Sequence, residues 1–230
     1  MRSIWRTLDP QLTRDIALVC AAISVVGLSF GAIAVSSGLP LWVPLVMSIV
    51  VFAGASQFAF VAIVAAGGGI VAAVSAGLLA NARHILFGFS LGDVFGTSLA
   101  SRLVGSHLMV DESVAFTLSQ TSSHERRSVY WLCGGGLFVS WNLGVLVGAL
   151  GGTLVSDTDA FGLDAAFPAV LLALILPSLA ERATRRAAVV GAVIAVAVSP
   201  LLPAGVPILL ALSALVLTMP LRRPKPAIHS

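Results

Sequence analysis

The alternation of apolar and polar stretches divides the chain into seven long apolar segments. A helix needs about 20 residues to cross the hydrocarbon core of a bilayer, and the first four segments reach that length. The last three are shorter and are expected to be tilted, broken or extended into their flanks. Backbone polar groups must be satisfied within lipid, and the segments lack the period-two pattern of barrel strands, so they are predicted to be helices. The segments are 16–36, 42–66, 68–92, 129–150, 167–180, 187–199 and 205–219.

Composition agrees with this pattern and excludes several classes of protein. The chain of 230 residues is 58% hydrophobic and only 10% charged, against about 45–50% and about 25% in soluble domains. So much apolar surface could not be buried in water, which excludes a soluble enzyme, a disordered chain and a secreted disulfide scaffold. We therefore predict an all-α polytopic membrane protein, a single transmembrane domain over residues 1–230. Its two cysteines, Cys20 and Cys133, lie in apolar segments and are interpreted as small buried hydrophobes.

Basic residues indicate the orientation of the chain. The net charge of +3 is interpreted as cytoplasmic loops rich in arginine, not as a nucleic-acid surface. Most basic residues cluster in alternate loops and after the last segment. With seven crossings, these clusters place the C-terminus in the cytoplasm and the N-terminus outside. Arg2, Arg6 and Arg14 argue for the opposite side, and an eighth crossing in 103–121 would largely reconcile the two groups. The clustered residues are Arg102, Arg126, Arg127, Arg182, Arg185, Arg186, Arg222, Arg223 and Lys225.

Matching glycine and break positions suggest an internal repeat. Segments one and four both carry the G-x-x-x-G spacing that lets helix backbones approach, and each is followed by a segment with a potential helix break. We predict one repeat over about 16–92, a second over about 129–199 and an extra helix over 205–219. Each repeat has three segments, so the two copies would be inverted in the membrane, a pattern typical of transporters. The alternative is that spans rich in Gly, Ala and Leu resemble one another by composition.

Two ionisable groups in the third segment are candidates for function. Arg83 either reaches the interface as an anchor or pairs with a carboxylate, which would come from a substrate or from Asp111 or Glu112. His84 shares a helical face with Asn81 and two glycines. It is either a hydrogen-bonded core histidine or a carrier of protons near neutral pH.

Asp111 and Glu112 lie in an otherwise apolar stretch of 103–121. This stretch is interpreted as either a solvated amphipathic helix or a re-entrant helix. In the second case, one of its acids would couple protons or pair with Arg83.

Polar side chains at mid-span suggest a ligand pocket at a broken helix. Ser56 and Gln57 lie in a run that can interrupt the second segment, and the freed backbone groups there could bind both charges of an amino acid. Satisfying those backbone groups is the purely structural alternative. The predicted substrate-binding residues are Ser56, Gln57, Asn81, His84, Asn142 and Ser178, and the candidates for coupling or ion pairing are Arg83, His84, Asp111 and Glu112.

Enzyme motifs are missing from the sequence. It has no Walker A motif, no H-E-x-x-H and no cysteine–histidine cluster. A serine nucleophile would need His84 close by in the fold, and the mid-span candidates are Ser56 and Ser140. Neither of these serines lies in a Gly-x-Ser-x-Gly turn. We expect no enzymatic activity, no cofactor and no metal, and any uphill transport would be coupled to an ion gradient or to another subunit.

The order and spacing of these motifs resemble the AzlC family over roughly 16–220. This family consists of the large, YgaZ-type subunits of two-component branched-chain amino acid exporters. Phe87 stands where many relatives have tyrosine. The motifs that carry the resemblance are Ala53–Phe58, Arg83–Gly88, Asp111 and Glu112 ahead of Phe116, and Ser140–Trp141 with Gly144 and Gly148.

The resemblance implies a function, a location and a partner. The function would be secondary export of leucine, isoleucine, valine and often methionine across the bacterial inner membrane. The partner would be a small AzlD-type membrane subunit. The alternatives are an exporter or channel for another small amphipathic metabolite, and a membrane scaffold that transports nothing.

Overall fold

The chain folds into helices, and the prediction of an all-α polytopic membrane protein is confirmed. The structure, a computed structural model, describes residues 9–154, 172, 176, 178–202, 206–211 and 213–214. Within these ranges three helical stretches are long and apolar enough to cross a bilayer: Pro10–Ser36, Ile70–Ser90 and Ser123–Thr153. The helices are α1 Pro10–Ser36, α2 Trp42–Val50, α3 Gly54–Ala65, α4 Ile70–Asn81, α5 Arg83–Ser90, α6 Leu99–His107, α7 Asp111–Leu118, α8 Ser123–Leu154, α9 Arg182–Val198 and α10 Val206–Ala211.

Helices α1 and α8 pack against each other through glycines and run in the same direction. A Cβ atom on Gly27 would lie 2.8 Å from the carbonyl oxygen of Trp141. One turn further along α1, a Cβ on Gly31 would lie 2.7 Å from the amide nitrogen of Ala149. The contact positions rise together along both helices, so the pair is parallel. Glycines permit this backbone approach, as in other membrane helix pairs.

Helices α2 and α3 together form a hairpin that enters the bundle from the side where α1 ends. Helix α2 follows α1 after a short loop, and at its far end the Ser48 hydroxyl donates to Asn142 Oδ1 near the middle of α8 (2.7 Å). The chain reverses at Phe52, which has a positive φ of 38°. Helix α3 then returns, because its first residue packs against Trp141 and Phe58 contacts Phe30 further towards the end of α1. We call this element hairpin 1 (residues 42–65).

The stretch α4–α5 crosses the whole bundle. Helix α4 runs antiparallel to α3, with Gly77 against Ser56. After a kink at Ala82, α5 ends beside the start of α8, where the Arg126 guanidinium donates to the Ser90 carbonyl oxygen (3.0 Å). The start of α8 carries Arg126 and Arg127, so we call the side where α1 and α8 begin the basic side.

Helices α6 and α7 form a second hairpin, which enters from the basic side. Along α6, the Tyr130 hydroxyl donates to the Gly105 carbonyl oxygen (2.6 Å). His107 Nε2 lies 2.8 Å from the Ile49 carbonyl oxygen of hairpin 1. The chain turns at 108–110, and α7 leads back to the start of α8 through a short loop. We call this element hairpin 2 (residues 99–118).

This arrangement differs from the predicted repeat. Segments 16–36 and 129–150 were expected to be inverted counterparts, whereas α1 and α8 are parallel. The inverted counterparts are instead two larger units. Hairpin 1 followed by α4–α5 has the opposite orientation to hairpin 2 followed by α8. Ser56 and Ser113 occupy the third position of α3 and α7, and both are buried. The inverted unit is therefore a hairpin followed by a crossing helix.

The second segment also differs from its prediction as one broken span. At a rise of about 1.5 Å per residue, the nine residues of α2 and the twelve of α3 are each about half as long as a crossing requires. They enter and leave by one side. Beyond α8, 187–199 forms most of α9, and α10 begins the segment 205–219, whereas 167–177 lies almost entirely outside the described residues.

The hairpin topology predicts which loops share a side of the membrane. Single cysteines replacing the exposed Ser37 and Ala66, which flank hairpin 1, should react with an impermeant maleimide from one side. Cysteines replacing the exposed Thr97 and Ser122 should react from the other side. The background carries Cys20→Ala and Cys133→Ala. Labelling of Ser37→Cys and Ala66→Cys from different sides would show that 42–65 crosses the membrane.

The close α1–α8 contact predicts a strong asymmetry between two glycines of α8. At Gly148 an added Cβ would strike the backbone of Leu28, while at Gly151 nothing lies within 4 Å. Gly148→Ala should lower the free energy of unfolding by roughly 1–3 kcal/mol, measured as a lower thermal midpoint in detergent. Gly151→Ala, the matched control, should be neutral or slightly stabilising. Equal midpoints for the two variants would contradict the packing.

Candidate functional site

The tips of the two hairpins meet halfway along α8. The Phe52 ring of hairpin 1 lies 6.1 Å from the His107 ring of hairpin 2. Both rings contact Phe138 of α8, at 5.0 and 5.7 Å. Beside this junction is a cavity of about 320 Å³, which we call the central cavity. It is lined by Ile23, Val26, Phe52, Ala53, Gly54, Ala55, Phe58, Arg83, His84, Val110, Asp111, Glu112, Leu137 and Trp141.

An ion pair spans the charged wall of the central cavity. An Arg83 guanidinium nitrogen lies 2.7 Å from Asp111 Oδ2, and the two side chains are 37% and 50% exposed. The kink after α4 places Arg83 at the start of α5, and the tip of hairpin 2 places Asp111 at the start of α7. Charged groups at membrane depth usually face a cavity or a partner. This pair does both.

The two helix N-termini at the cavity differ in charge. Helix α3 begins with Gly54 and Ala55 and has no acidic residue in its first turn. Its first amide groups have no intrahelical acceptor and carry the positive end of the helix dipole. Helix α7 begins with Asp111 and Glu112, whose carboxylates offset that positive end. The cavity therefore has an anion-favouring end at α3 and a cation-favouring end at α7.

Apart from His84, the rest of the cavity wall is apolar. Two side chains come from α1, Ile23 and Val26, and two from α8, Leu137 and Trp141. The Trp141 ring stacks on Phe30 with centroids 5.8 Å apart and meets Phe58 edge-on at 6.5 Å. This aromatic support holds the wall in place. A ligand with a charged head and an aliphatic tail matches such a lining.

Four of the predicted residues line the central cavity: Arg83, His84, Asp111 and Glu112. His84 Nδ1 lies 3.0 Å from the Asn81 carbonyl oxygen at the kink, and its ring meets Phe87 edge-on at 5.8 Å. The interpretation of Arg83 as the partner of Asp111 matches the geometry. The stretch 103–121 covers the end of α6, a turn and α7, with the helices beginning at Leu99 and ending at Leu118, and its re-entrant interpretation stays a prediction.

Three predicted residues lie next to the cavity without lining it. Ser56 faces Gly77 of α4, and Gln57 is fully buried. The side-chain amide of Gln57 and the Oδ1 atom of Asn81 have no hydrogen-bond partner among the described residues. The structure thus brings Gly54 and Ala55 to the cavity, whereas Ser56 and Gln57 are not among its lining residues.

The remaining two predicted residues lie outside the cavity. Asn142 accepts from Ser48 and donates through Nδ2 to the Phe138 carbonyl oxygen (2.8 Å). Its Oδ1 atom fastens hairpin 1 to α8, and its Nδ2 atom bonds within α8. Ser178 begins the 3₁₀ turn Ser178–Ala180, and its side chain lies outside the described part of the chain.

Sequence reasoning missed the hairpin tips. Phe52 and Val110 are apolar, and His107 lies outside the seven apolar segments, so a search for polar groups within those segments overlooks all three. The signal that could have found them is the short length of the helices on either side of the turn at 108–110. Helices α6 and α7 have nine and eight residues, too few for either to cross a bilayer alone. Two short helices joined by an extended residue are typical of a re-entrant hairpin.

The fold and the cavity define a helical membrane protein of the transporter type, with broken helices meeting at mid-depth. The model of the AzlC protein family matches residues 18–155, more than half of the chain and nearly all of α1–α8. The chain therefore belongs to the AzlC family.

The relatives found by comparison are also membrane proteins. One, described as an uncharacterized membrane protein of Archaeoglobus fulgidus, is 30% identical over 172 residues, which cover 73% of this chain and 74% of the relative. Two more with the same description, from two strains of Helicobacter pylori, are 27% and 26% identical over 201 residues, covering 86% of this chain and 88% of each relative. No solved structure matches the chain. The comparisons thus support a membrane location and, through the AzlC family, a transporter-type function.

The bridge from Ser48 to Asn142 predicts a structural role for both side chains. Ser48→Ala should lower the free energy of unfolding by about 1 kcal/mol, and its effect should not add to that of Asn142→Ala, because they remove one hydrogen bond. Thermal unfolding of the two single variants and the double variant checks this. Ser106→Ala, which loses only a bond to the nearby Leu103 carbonyl, is the control. Additive effects would contradict the bridge.

Proposed function

We propose that this protein is the large subunit of a two-component exporter of branched-chain amino acids. The observation that carries the proposal is the central cavity, where Arg83 and Asp111 face an aliphatic and aromatic wall. Leucine, isoleucine and valine combine two opposite charges with a branched apolar side chain. The family resemblance points to the same substrates, with methionine as a further one.

The two hairpins support a carrier mechanism. Hairpin 1 enters opposite the basic side and hairpin 2 enters from it, so one hairpin lies between the cavity and each face of the membrane. Movement of one hairpin at a time would expose the cavity to one side only, which is the requirement for alternating access. A channel that is open to both sides at once would not need a hairpin that closes on either side.

Export against a gradient requires coupling, and the sequence carries no ATPase motif. We propose protons as the coupling ion, with His84, Asp111 and Glu112 as the candidate carriers, because all three side chains line the cavity. A leucine export rate that does not respond to an imposed pH gradient in proteoliposomes would refute this coupling.

The proposed location is the bacterial inner membrane, with the basic side in the cytoplasm. Helix α1 then begins in the cytoplasm, which agrees with Arg2, Arg6 and Arg14 and replaces the expected external N-terminus. If the three apolar segments after α8 each cross once, the C-terminus is cytoplasmic as well. The proposed partner is a small AzlD-type membrane subunit.

Cellular efflux tests the proposed function. Cells lacking their own exporters are loaded with dipeptides of leucine, isoleucine, valine or methionine, and they express this chain with or without a co-encoded small subunit. We expect saturable efflux only when both proteins are present.

The remaining outcomes separate the alternatives. Absence of efflux of all four amino acids, with both proteins detected in the membrane, would contradict branched-chain export. Flux that rises without saturation and cannot be driven uphill would indicate a channel. Capture of the small subunit without any amino acid binding would indicate a scaffold.

A further inference from the structure

We propose that the central cavity admits only zwitterions, because the substrate must replace the Arg83–Asp111 ion pair with its own two charges. The substrate carboxylate would bind Arg83 and the N-terminus of α3. Its ammonium group would bind Asp111 and Glu112. This inference rests on the proposed function and adds a selection rule and an orientation to it.

The first step of the argument concerns the empty cavity. Arg83 and Asp111 neutralise each other at 2.7 Å in the wall of the central cavity, and an unpaired charge at membrane depth is costly. The pair is nevertheless accessible, with side chains 37% and 50% exposed, and both residues line the cavity. The Nε atom of Arg83 has no hydrogen-bond partner among the described residues. The guanidinium therefore has donor capacity that the ion pair leaves unused.

The second step concerns ligands with one charge. A carboxylate without an amine could pair with Arg83 only by leaving Asp111 unpaired. An amine without a carboxylate would leave Arg83 unpaired. Because an unpaired charge at membrane depth is costly, removing one partner of the pair costs more than exchanging both. A zwitterion offers both charges from one carbon atom, so it can part the pair and leave no charge uncompensated.

The third step concerns direction. The first turn of α3 carries no acid, whereas α7 begins with two. The open dipole end at Gly54 and Ala55 adds to the attraction of Arg83 for an anion. Glu112 adds to the attraction of Asp111 for a cation. The carboxylate thus faces hairpin 1 and the ammonium group faces hairpin 2.

The apolar side chain then has a defined place. With the charged head between α3 and α7, the aliphatic tail lies against Val26, Leu137 and Trp141, which line the same cavity. Affinity among zwitterions should therefore follow the size and shape of the side chain. The difference in affinity between a zwitterion and a singly charged analogue should depend on the missing charge.

The experiment uses truncated leucine. Thermal stabilisation of the purified protein with its small subunit, and inhibition of leucine export in proteoliposomes, are measured with leucine, 4-methylpentanoate and 3-methylbutylamine. The last two compounds lack the ammonium group and the carboxylate, respectively, and keep the branched tail. We expect each to act about 100-fold more weakly than leucine, or worse. Comparable potency of either analogue would overturn the inference.

A charge-reversal variant separates recognition from a purely structural ion pair. Arg83→Asp combined with Asp111→Arg restores the pair, so the thermal midpoint should recover towards that of the wild type. Leucine export should stay lost, because the charges now oppose the polarity of α3. Recovery of export in this variant would overturn the proposed orientation. The analogue measurements on wild-type protein stand even if the variant does not fold.

A second ion pair provides the matched control. Arg126 lies 3.1 Å from Asp93 on the basic side, outside the cavity. Asp111→Asn, which removes one charge of the cavity pair, should lower the ratio of potency between leucine and 4-methylpentanoate, and Asp93→Asn should leave it unchanged. An equal change in the two variants would overturn the assignment. If wild-type protein exports no leucine, the proposed function fails. Thermal stabilisation by other zwitterions then still tests the selection rule.

Discussion

The parallel contact between α1 and α8 is the interaction on which the rest of this structure depends. Gly27 and Gly31 of α1 and the glycines of α8 bring two backbones together along several turns. Lipid gives little driving force for helix association, so close van der Waals packing of this kind supplies it. Two parallel helices must be joined by a chain that returns to its starting side. That requirement is met by one crossing stretch, α4–α5, and it leaves room for two hairpins that do not cross.

The hairpins place unpaired backbone ends at mid-depth, where lipid could not satisfy them. Such irregular backbone is tolerated only where protein buries it or a cavity is present. Both conditions are met. Phe52, Leu108 and Met109 at the tips are buried, His107 lies against the last carbonyls of α2, and the N-termini of α3 and α7 face the central cavity. The same constraint that forbids loops in lipid therefore locates the site.

Hydropathy predicted the long helices α1 and α8 and the segment that became α4–α5, because each needs an apolar surface of full span length. It could not separate a crossing from a hairpin over 42–66, since both require the same apolar residues. The direction of α1 relative to α8 settles that question, and helix direction is a property of packing. Ser56 and Gln57 marked the correct position of the break, because α3 begins there. Their side chains, however, do not line the cavity: Ser56 faces α4 and Gln57 is buried.

Charged residues were the more reliable guide to the site. Arg83 and Asp111 are costly at membrane depth unless each has a partner. The 27 residues between them fold so that the two side chains pair with each other. Asn142 and Ser178 carried a weaker signal, because a neutral amide or hydroxyl can be satisfied by nearby carbonyls, as Asn142 is. The two hairpins are alike in form, but the acids at α7 and their absence at α3 make them unequal in charge. The central cavity thereby has one end that favours anions, at α3, and one end that favours cations, at α7.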